Sequence, residues 1–171
     1  GFTVRQTMIL EFSPTLIPVI LAGKIGSNIA SQLGTMRVTE QIDALEIMGI
    51  NSAGFLTLPK ILAGIICLPL LVIMSMFLGL ASGAGIAYVT GVSSMADFQY
   101  GLQVDFVSYD VIYALIKTTI FSIIITSVSA YHGYHTHGGA LEVAKSSTKA
   151  VVYSVVIIMM SNLILTKLLL T

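Results

Sequence analysis

Glu11, Lys24 and Lys117 are ionisable residues set inside long apolar runs. An ionised group without water must pair, reach an interface, or hold something of opposite charge. A carboxylate and an ammonium at similar depth, such as Glu11 and Lys117, can bridge two helices. The same ammonium can hold an anionic headgroup, and both readings stay open. Lys24 can snorkel to the nearer interface. A second set, Glu40, Asp43 and Glu46, recurs every three residues and can meet a basic partner. His132, His135 and His137 form an H-x-x-H-x-H run, which has metal-ligand spacing. It contains no carboxylate or thiol and has only Glu142 nearby, so a solvated loop is the better reading and no metal is assigned. The residues from Gly79 to Gly85 suggest a phosphate loop only superficially, since no strand precedes them. No Ser–His–Asp set, paired carboxylates or G-x-x-x-x-G-K-[ST] run is convincing, so neither an enzyme nor a cofactor is read.

The elements that carry these residues follow from composition. The chain has 171 residues, 56% hydrophobic and 9% charged, and its mean hydropathy is +0.95. Ordinary soluble domains are about 25% charged, and a domain of this size cannot hide so much apolar surface from water. An all-α, polytopic membrane protein forming one domain over residues 1–171 is therefore expected. The zero formal net charge argues against nucleic acid. Cys67 is the only cysteine, which excludes an internal disulfide. The sequence begins at Gly1 and shows no signal peptide, and we expect it to be a piece of a longer protein.

A span needs about 20 apolar residues. Four segments qualify, about Thr7–Leu33, Leu58–Tyr88, Tyr109–Tyr131 and Thr148–Leu170. Pro14, Pro18 and Pro69 are candidates for kinks. The first and third loops carry Arg37 and Lys145, with Lys60 and Lys149 at their edges. The second carries Asp97 and Asp105 and no basic residue. Positive charge marks the cytoplasmic side, which puts loops one and three inside; Arg5 and Lys167 run against this bias. Small residues recur every four positions at Ala22, Gly26, Ala30 and Gly34, at Gly23, Ser27 and Ser31, and at Gly79, Gly83 and Ala87. Such ridges let membrane helices approach closely, either within one subunit or between two.

Residues 37–50 predict a short amphipathic helix in the first loop, with Thr39 as N-cap and Gly49 as stop. Val38, Ile42, Leu45 and Met48 form its apolar stripe, and Glu40, Asp43 and Glu46 its acidic one. An acidic face is repelled by anionic lipid, which favours a protein partner with an apolar floor and a basic rim.

These residues resemble the MlaE/YrbE-type permeases, the membrane subunits of lipid-transporting ABC systems associated with MCE-domain proteins. The similarity lies in E-F-S-P at 11–14, L-A-G-K-I-G-S at 21–27 and L-G-T-M-R-V-T-E-Q-I-D-A-L-E-I-M-G-I at 33–50. P-K at 59–60, L-P-L-L at 68–71, G-Y at 133–134 and T-K-A-V-V at 148–152 follow in order. The resemblance implies that the loop helix is a cytoplasmic coupling helix. Thr39, Glu40, Gln41, Asp43 and Glu46 would meet an ABC ATPase, Ile42 and Leu45 would anchor the contact, and motion would pass into the first two spans. It further implies lipid-transport roles for Glu11 and Lys117 and a matching basic position at Lys149. Asn162 stands where relatives often carry Asp. Implied too are an additional interfacial helix and one more span before this segment, a homodimer and a periplasmic MCE-domain protein. A small cytoplasmic STAS-domain subunit, phospholipid as cargo and a multi-pass place in the bacterial inner membrane complete the set. The rivals are a secondary transporter or channel, which needs a chain of buried ionisable groups, and a scaffold that only docks a cytoplasmic partner.

Overall fold

Each of the four apolar runs folds as a helix longer than hydropathy alone suggests. The computed structural model describes every residue from Gly1 to Thr171 and contains no strand. The first long helix, α1, spans Phe2–Val38. The short α2 covers Gln41–Ile47. The second long helix, α3, spans Ser52–Thr90, and a second short one, α4, covers Met95–Gln103. Two more long helices, α5 at Ser108–Tyr134 and α6 at Ala140–Leu170, complete the chain. The four long helices are long and apolar enough to cross a membrane. At 1.5 Å per residue even α5 is about 40 Å long, so every one of them exceeds a hydrocarbon layer of about 30 Å.

The prolines act differently in two helices. Around Pro14 the turns of α1 widen to π-helix over Met8–Leu16, and they widen again over Ala22–Gly26. Proline lacks an N–H and its ring crowds the carbonyl one turn back; a wider turn accommodates both. By contrast, Pro59 and Pro69 leave α3 helical from end to end, so Pro69 marks no break.

The post at the centre of the bundle is α5. Tyr113, Ala114, Lys117, Phe121, Ser122 and Ile125 recur at helical spacing and are all buried. Ala22, Leu68, Phe121, Ile125 and Ile158 join α1, α3, α5 and α6 in one core. The small-residue ridge Ala22, Gly26, Ala30 and Gly34 is buried within the chain. A Cβ at Gly26 would meet Ser129 Oγ at 2.9 Å, and one at Gly133 would meet the Ala30 carbonyl oxygen at 2.7 Å. Gly79 and Gly83 seat Met8 and Val4 of α1. The second ridge behaves otherwise. Gly23 faces open space, and Ser27 turns its hydroxyl back to the Gly23 carbonyl at 2.6 Å. A side chain at Gly23 would therefore meet nothing within the chain.

The second loop contains the helix α4. Its signal is the N-cap Ser94, whose Oγ accepts from the Asp97 N–H at 3.1 Å and donates to the Asp97 carboxylate at 2.6 Å. Arg5 explains its own charge anomaly here. It is buried and donates to the carbonyls of Leu102, Val104 and Asp105 at 2.7, 2.8 and 3.2 Å. A guanidinium on carbonyls at a helix C-terminus also complements the helix dipole, so Arg5 ties α4 to α1 and is not free to report topology.

Candidate functional site

Each of three helices brings a polar pair spaced i, i+4, which places both members on one face. From α1 come Glu11 and Thr15, from α5 Tyr113 and Lys117, and from α6 Asn162 and Thr166. They converge. Lys117 Nζ donates to the Glu11 carboxylate at 3.1 Å and to the Tyr113 hydroxyl at 3.1 Å. Thr15 donates to Glu11 at 3.2 Å and lies 3.4 Å from the Asn162 side-chain oxygen. Thr166 reaches Glu11 at 3.4 Å and pairs with Tyr113 at 3.0 Å. Glu11 stands in the first π-helical stretch of α1.

The pair is lopsided. The Lys117 side chain is fully buried, whereas that of Glu11 is 47% exposed. Glu11 opens onto a groove of about 520 Å³ lined by Met159, Asn162, Leu163, Thr166, Lys167 and Leu170. The lining mixes the Glu11 carboxylate and the Lys167 ammonium with Asn162 and Thr166 and with the apolar Met159, Leu163 and Leu170. Glu11 and Lys117 pair as their similar depth allows, Asn162 joins them through Thr15, and Thr15, Tyr113 and Thr166 complete the cluster without having been read from sequence. Lys149 stands apart, 13 residues and about 20 Å before Asn162 along α6. Lys24 is exposed.

At the opposite end of the bundle, α2 is shorter than residues 37–50. Arg37 and Val38 still belong to α1. Thr39 ends α1, donating back to the Thr35 carbonyl at 2.8 Å, so it does not cap α2. Glu40, left-handed at φ 62°, stands at the N-cap. Gly49, at φ 80°, closes α2: its N–H meets the Glu46 carbonyl at 3.0 Å while Ile50 N–H meets Leu45 at 3.1 Å. This is a Schellman closure, which glycine accommodates at no steric cost.

The side chains of α2 divide differently from the expected stripes. Ile42 is fully buried against the chain's own fold and is not free to anchor a partner. Leu45 is half-buried. The outward apolar residues are Ile47, 86% exposed, and Met48, 71% exposed, beside exposed Gln41 and Ala44. The acidic residues are partly used at home. Asp43 pairs with Arg37 at 3.0 Å. Glu46 accepts from Ser52 at 2.9 Å and from the Tyr134 hydroxyl at 3.0 Å. These two hydrogen bonds, with Ser52 the larger influence, hold the Glu46 carboxyl below its ordinary value of 4.5. Glu40 remains exposed and makes no side-chain bond to the fold. Nearby, His132 stacks on Tyr153 at 5.1 Å and His135 Nδ1 lies 2.9 Å from the Tyr131 carbonyl, so these rings are engaged by local partners.

Comparison with known proteins agrees with this architecture. Residues 1–168 match the family described as Permease MlaE. A probable ABC transporter permease protein of Rickettsia bellii is 37% identical over 167 residues, covering 92% of this chain and 61% of that relative. One from Synechocystis is 35% identical, covering 96% of this chain and 63% of the relative. Protein TRIGALACTOSYLDIACYLGLYCEROL 1, chloroplastic, of Arabidopsis thaliana is 34% identical, covering 91% of this chain and 44% of that protein. The chain thus spans about three fifths of the length of its bacterial relatives. With four helices long and apolar enough to cross a membrane and a family match over nearly its whole length, the chain belongs to the MlaE permease family.

Proposed function

We propose that this chain is the membrane permease part of an ABC transporter that moves phospholipid between the inner membrane and the periplasm or outer membrane. A separate cytoplasmic ATPase supplies the energy. The observation that carries the reading is the half-open Glu11–Lys117 pair, whose Glu11 reaches a groove lined by polar groups together with Met159, Leu163 and Leu170. A headgroup site needs access, and the exposed Glu11 carboxylate supplies a polar group inside a span that a ligand can reach. The lipid class is further supported by the name of the Arabidopsis relative, which is that of a glycerolipid.

The α2 end carries Arg37, Lys60, Lys145 and Lys149, and with Arg5 committed to α4 the positive-inside bias makes this end cytoplasmic. There α2 serves as the coupling helix, with Ile47 and Met48 as the apolar prongs toward the ATPase. Two ATPases call for two membrane halves, so the chain works as a homodimer in a bacterial inner membrane. A periplasmic MCE-domain protein stands at the α4 end, and a STAS-domain subunit is a further cytoplasmic partner. Reconstitution tests this: the complex in liposomes of phosphatidylethanolamine and phosphatidylglycerol should transfer labelled lipid only with ATP. Flux driven by an ion gradient without ATP would favour a secondary transporter.

A further inference from the structure

The backbone joins α2 only to α1 and α3, and both junctions are turns with a left-handed residue, Glu40 before α2 and Gly49 after it. Side chains add a third connection. Tyr134, the last residue of α5, places its hydroxyl 3.0 Å from Glu46 of α2 and 2.8 Å from Ser52 at the start of α3. Ser52 itself bonds Glu46 at 2.9 Å, closing a triangle. Arg37 of α1 lies 4.6 Å over the Tyr134 ring, donates to the Tyr134 carbonyl at 2.9 Å and pairs with Asp43 of α2. Four helices therefore meet at one aromatic side chain, and the central post α5 is held to α2 through it.

We infer that Tyr134 is a positioning residue that makes α5 a direct follower of α2, so that displacement of α2 reaches the Glu11–Lys117 pair along the α5 axis. An α-helix is stiff along its axis, and Lys117 lies 17 residues from Tyr134, about 26 Å up the same rod. The route differs from one through α1 and α3 alone, because it moves Lys117 while Glu11 is carried by another helix. Close-packed interiors shift between discrete arrangements, so a small axial push can change which partners Lys117 holds. This inference rests on the coupling role proposed for α2, though not on the identity of the cargo.

The test uses the complex with its ATPase and the variant Tyr134→Phe. Phenylalanine keeps the ring beneath Arg37 and the backbone carbonyl but removes the hydroxyl. Spin labels at exposed Ile112 of α5 and exposed Leu168 of α6, in a Cys67→Ser background, report α5 motion without any lipid assay. ATP should shift the label distance in the parent, and Tyr134→Phe should abolish the shift. Complex yield and ATP hydrolysis should stay within about 2-fold, and lipid transferred per ATP should fall at least 5-fold. Glu46→Ala should give the same loss, and the double variant should be no worse than either single one, because all act on one contact. A shift that is absent in the parent or persists in Tyr134→Phe overturns the inference, as do losses that multiply in the double variant. A parent that shows the shift but transfers no lipid overturns the proposed cargo and leaves the α5 route standing.

Discussion

Lys117 is wholly buried while Glu11, 3.1 Å away, is half open to its surroundings. Removing the two partners should therefore have unequal consequences. Glu11→Ala leaves a buried ammonium held by Tyr113 and one backbone carbonyl, Leu10 at 3.5 Å. Breaking a fully buried pair costs about 3–5 kcal/mol, and the exposure of Glu11 reduces this to about 1–3 kcal/mol. Lys117→Met replaces the charge with an apolar chain of similar length and should change stability by less than about 1 kcal/mol. Both should reduce lipid transfer at least 10-fold. Thermal unfolding in lipid nanodiscs, alongside the transfer assay, checks the contrast: stable but inactive Lys117→Met protein is the expected signature of a headgroup site.

The seat of α2 should loosen in acid. Hydrogen bonds from Ser52 and Tyr134 depress the folded-state pKa of Glu46 below its ordinary 4.5. A carboxylate depressed in the folded state contributes stability above its unfolded pKa and loses it as pH falls through the folded value. Hydrogen exchange of α2 should thus be flat from pH 7 to about 5, after correction for the intrinsic rate, and rise below pH 4.5. Ser52→Ala should shrink this rise, because deleting the leading cause brings the folded-state value back toward the ordinary one. A rise of undiminished size in Ser52→Ala would show that another group governs it.

Contact with the ATPase should depend on Ile47 and Met48 more than on the carboxylates, two of which are partly engaged within the chain. Ile47→Asp with Met48→Asp should lower co-purified ATPase at least 10-fold. Since both residues are exposed, the melting temperature should barely change, as expected for surface substitutions within about 0.5 kcal/mol. Full recovery of the complex would place the contact elsewhere on α2.

Glycines on the two faces of α1 and α5 should separate internal packing from assembly. Gly133→Ala puts a methyl 2.7 Å from the Ala30 carbonyl oxygen and 2.8 Å from Leu33 Cβ. Such overpacking costs about 1–3 kcal/mol. Gly23→Ala meets nothing within 4 Å, and should stabilise an isolated subunit by about 0.5–1 kcal/mol through helix propensity. Unfolding of both variants, measured together with oligomer mass, distinguishes the cases. A loss of dimer in Gly23→Leu alone would assign the Gly23 and Ser27 ridge to the second copy.

Arg5→Ala should release α4 while sparing the bundle. Three carbonyls lose a charged donor, a change worth about 1–3 kcal/mol locally. Hydrogen exchange should quicken in Met95–Gln103 and stay unchanged in α5. Equal quickening in both would mean that Arg5 supports the whole bundle.

Much of this protein was legible in its residues. Hydropathy fixes four spans because a membrane helix must satisfy its backbone internally and offer apolar side chains to lipid. Gly49 announces the end of α2, because glycine alone enters the left-handed turn freely. The pairing of Glu11 with Lys117 follows from depth, since two isolated charges in apolar surroundings are costlier than one bridge. Even the missed cluster members had a signal, as Thr15, Tyr113 and Thr166 each stand four residues from a residue already singled out. Other features belonged to the tertiary structure. Periodicity puts Ile42 and Met48 on one stripe, but only the packed fold decides that Ile42 faces inward while Met48, past the last turn, faces out. It cannot tell which carboxylates of α2 are already bonded, because Arg37, Ser52 and Tyr134 arrive from three other helices. Nor can it tell the Gly26 ridge from the Gly23 ridge. Helical spacing defines a face, and what covers that face depends on where distant segments of the chain come to rest.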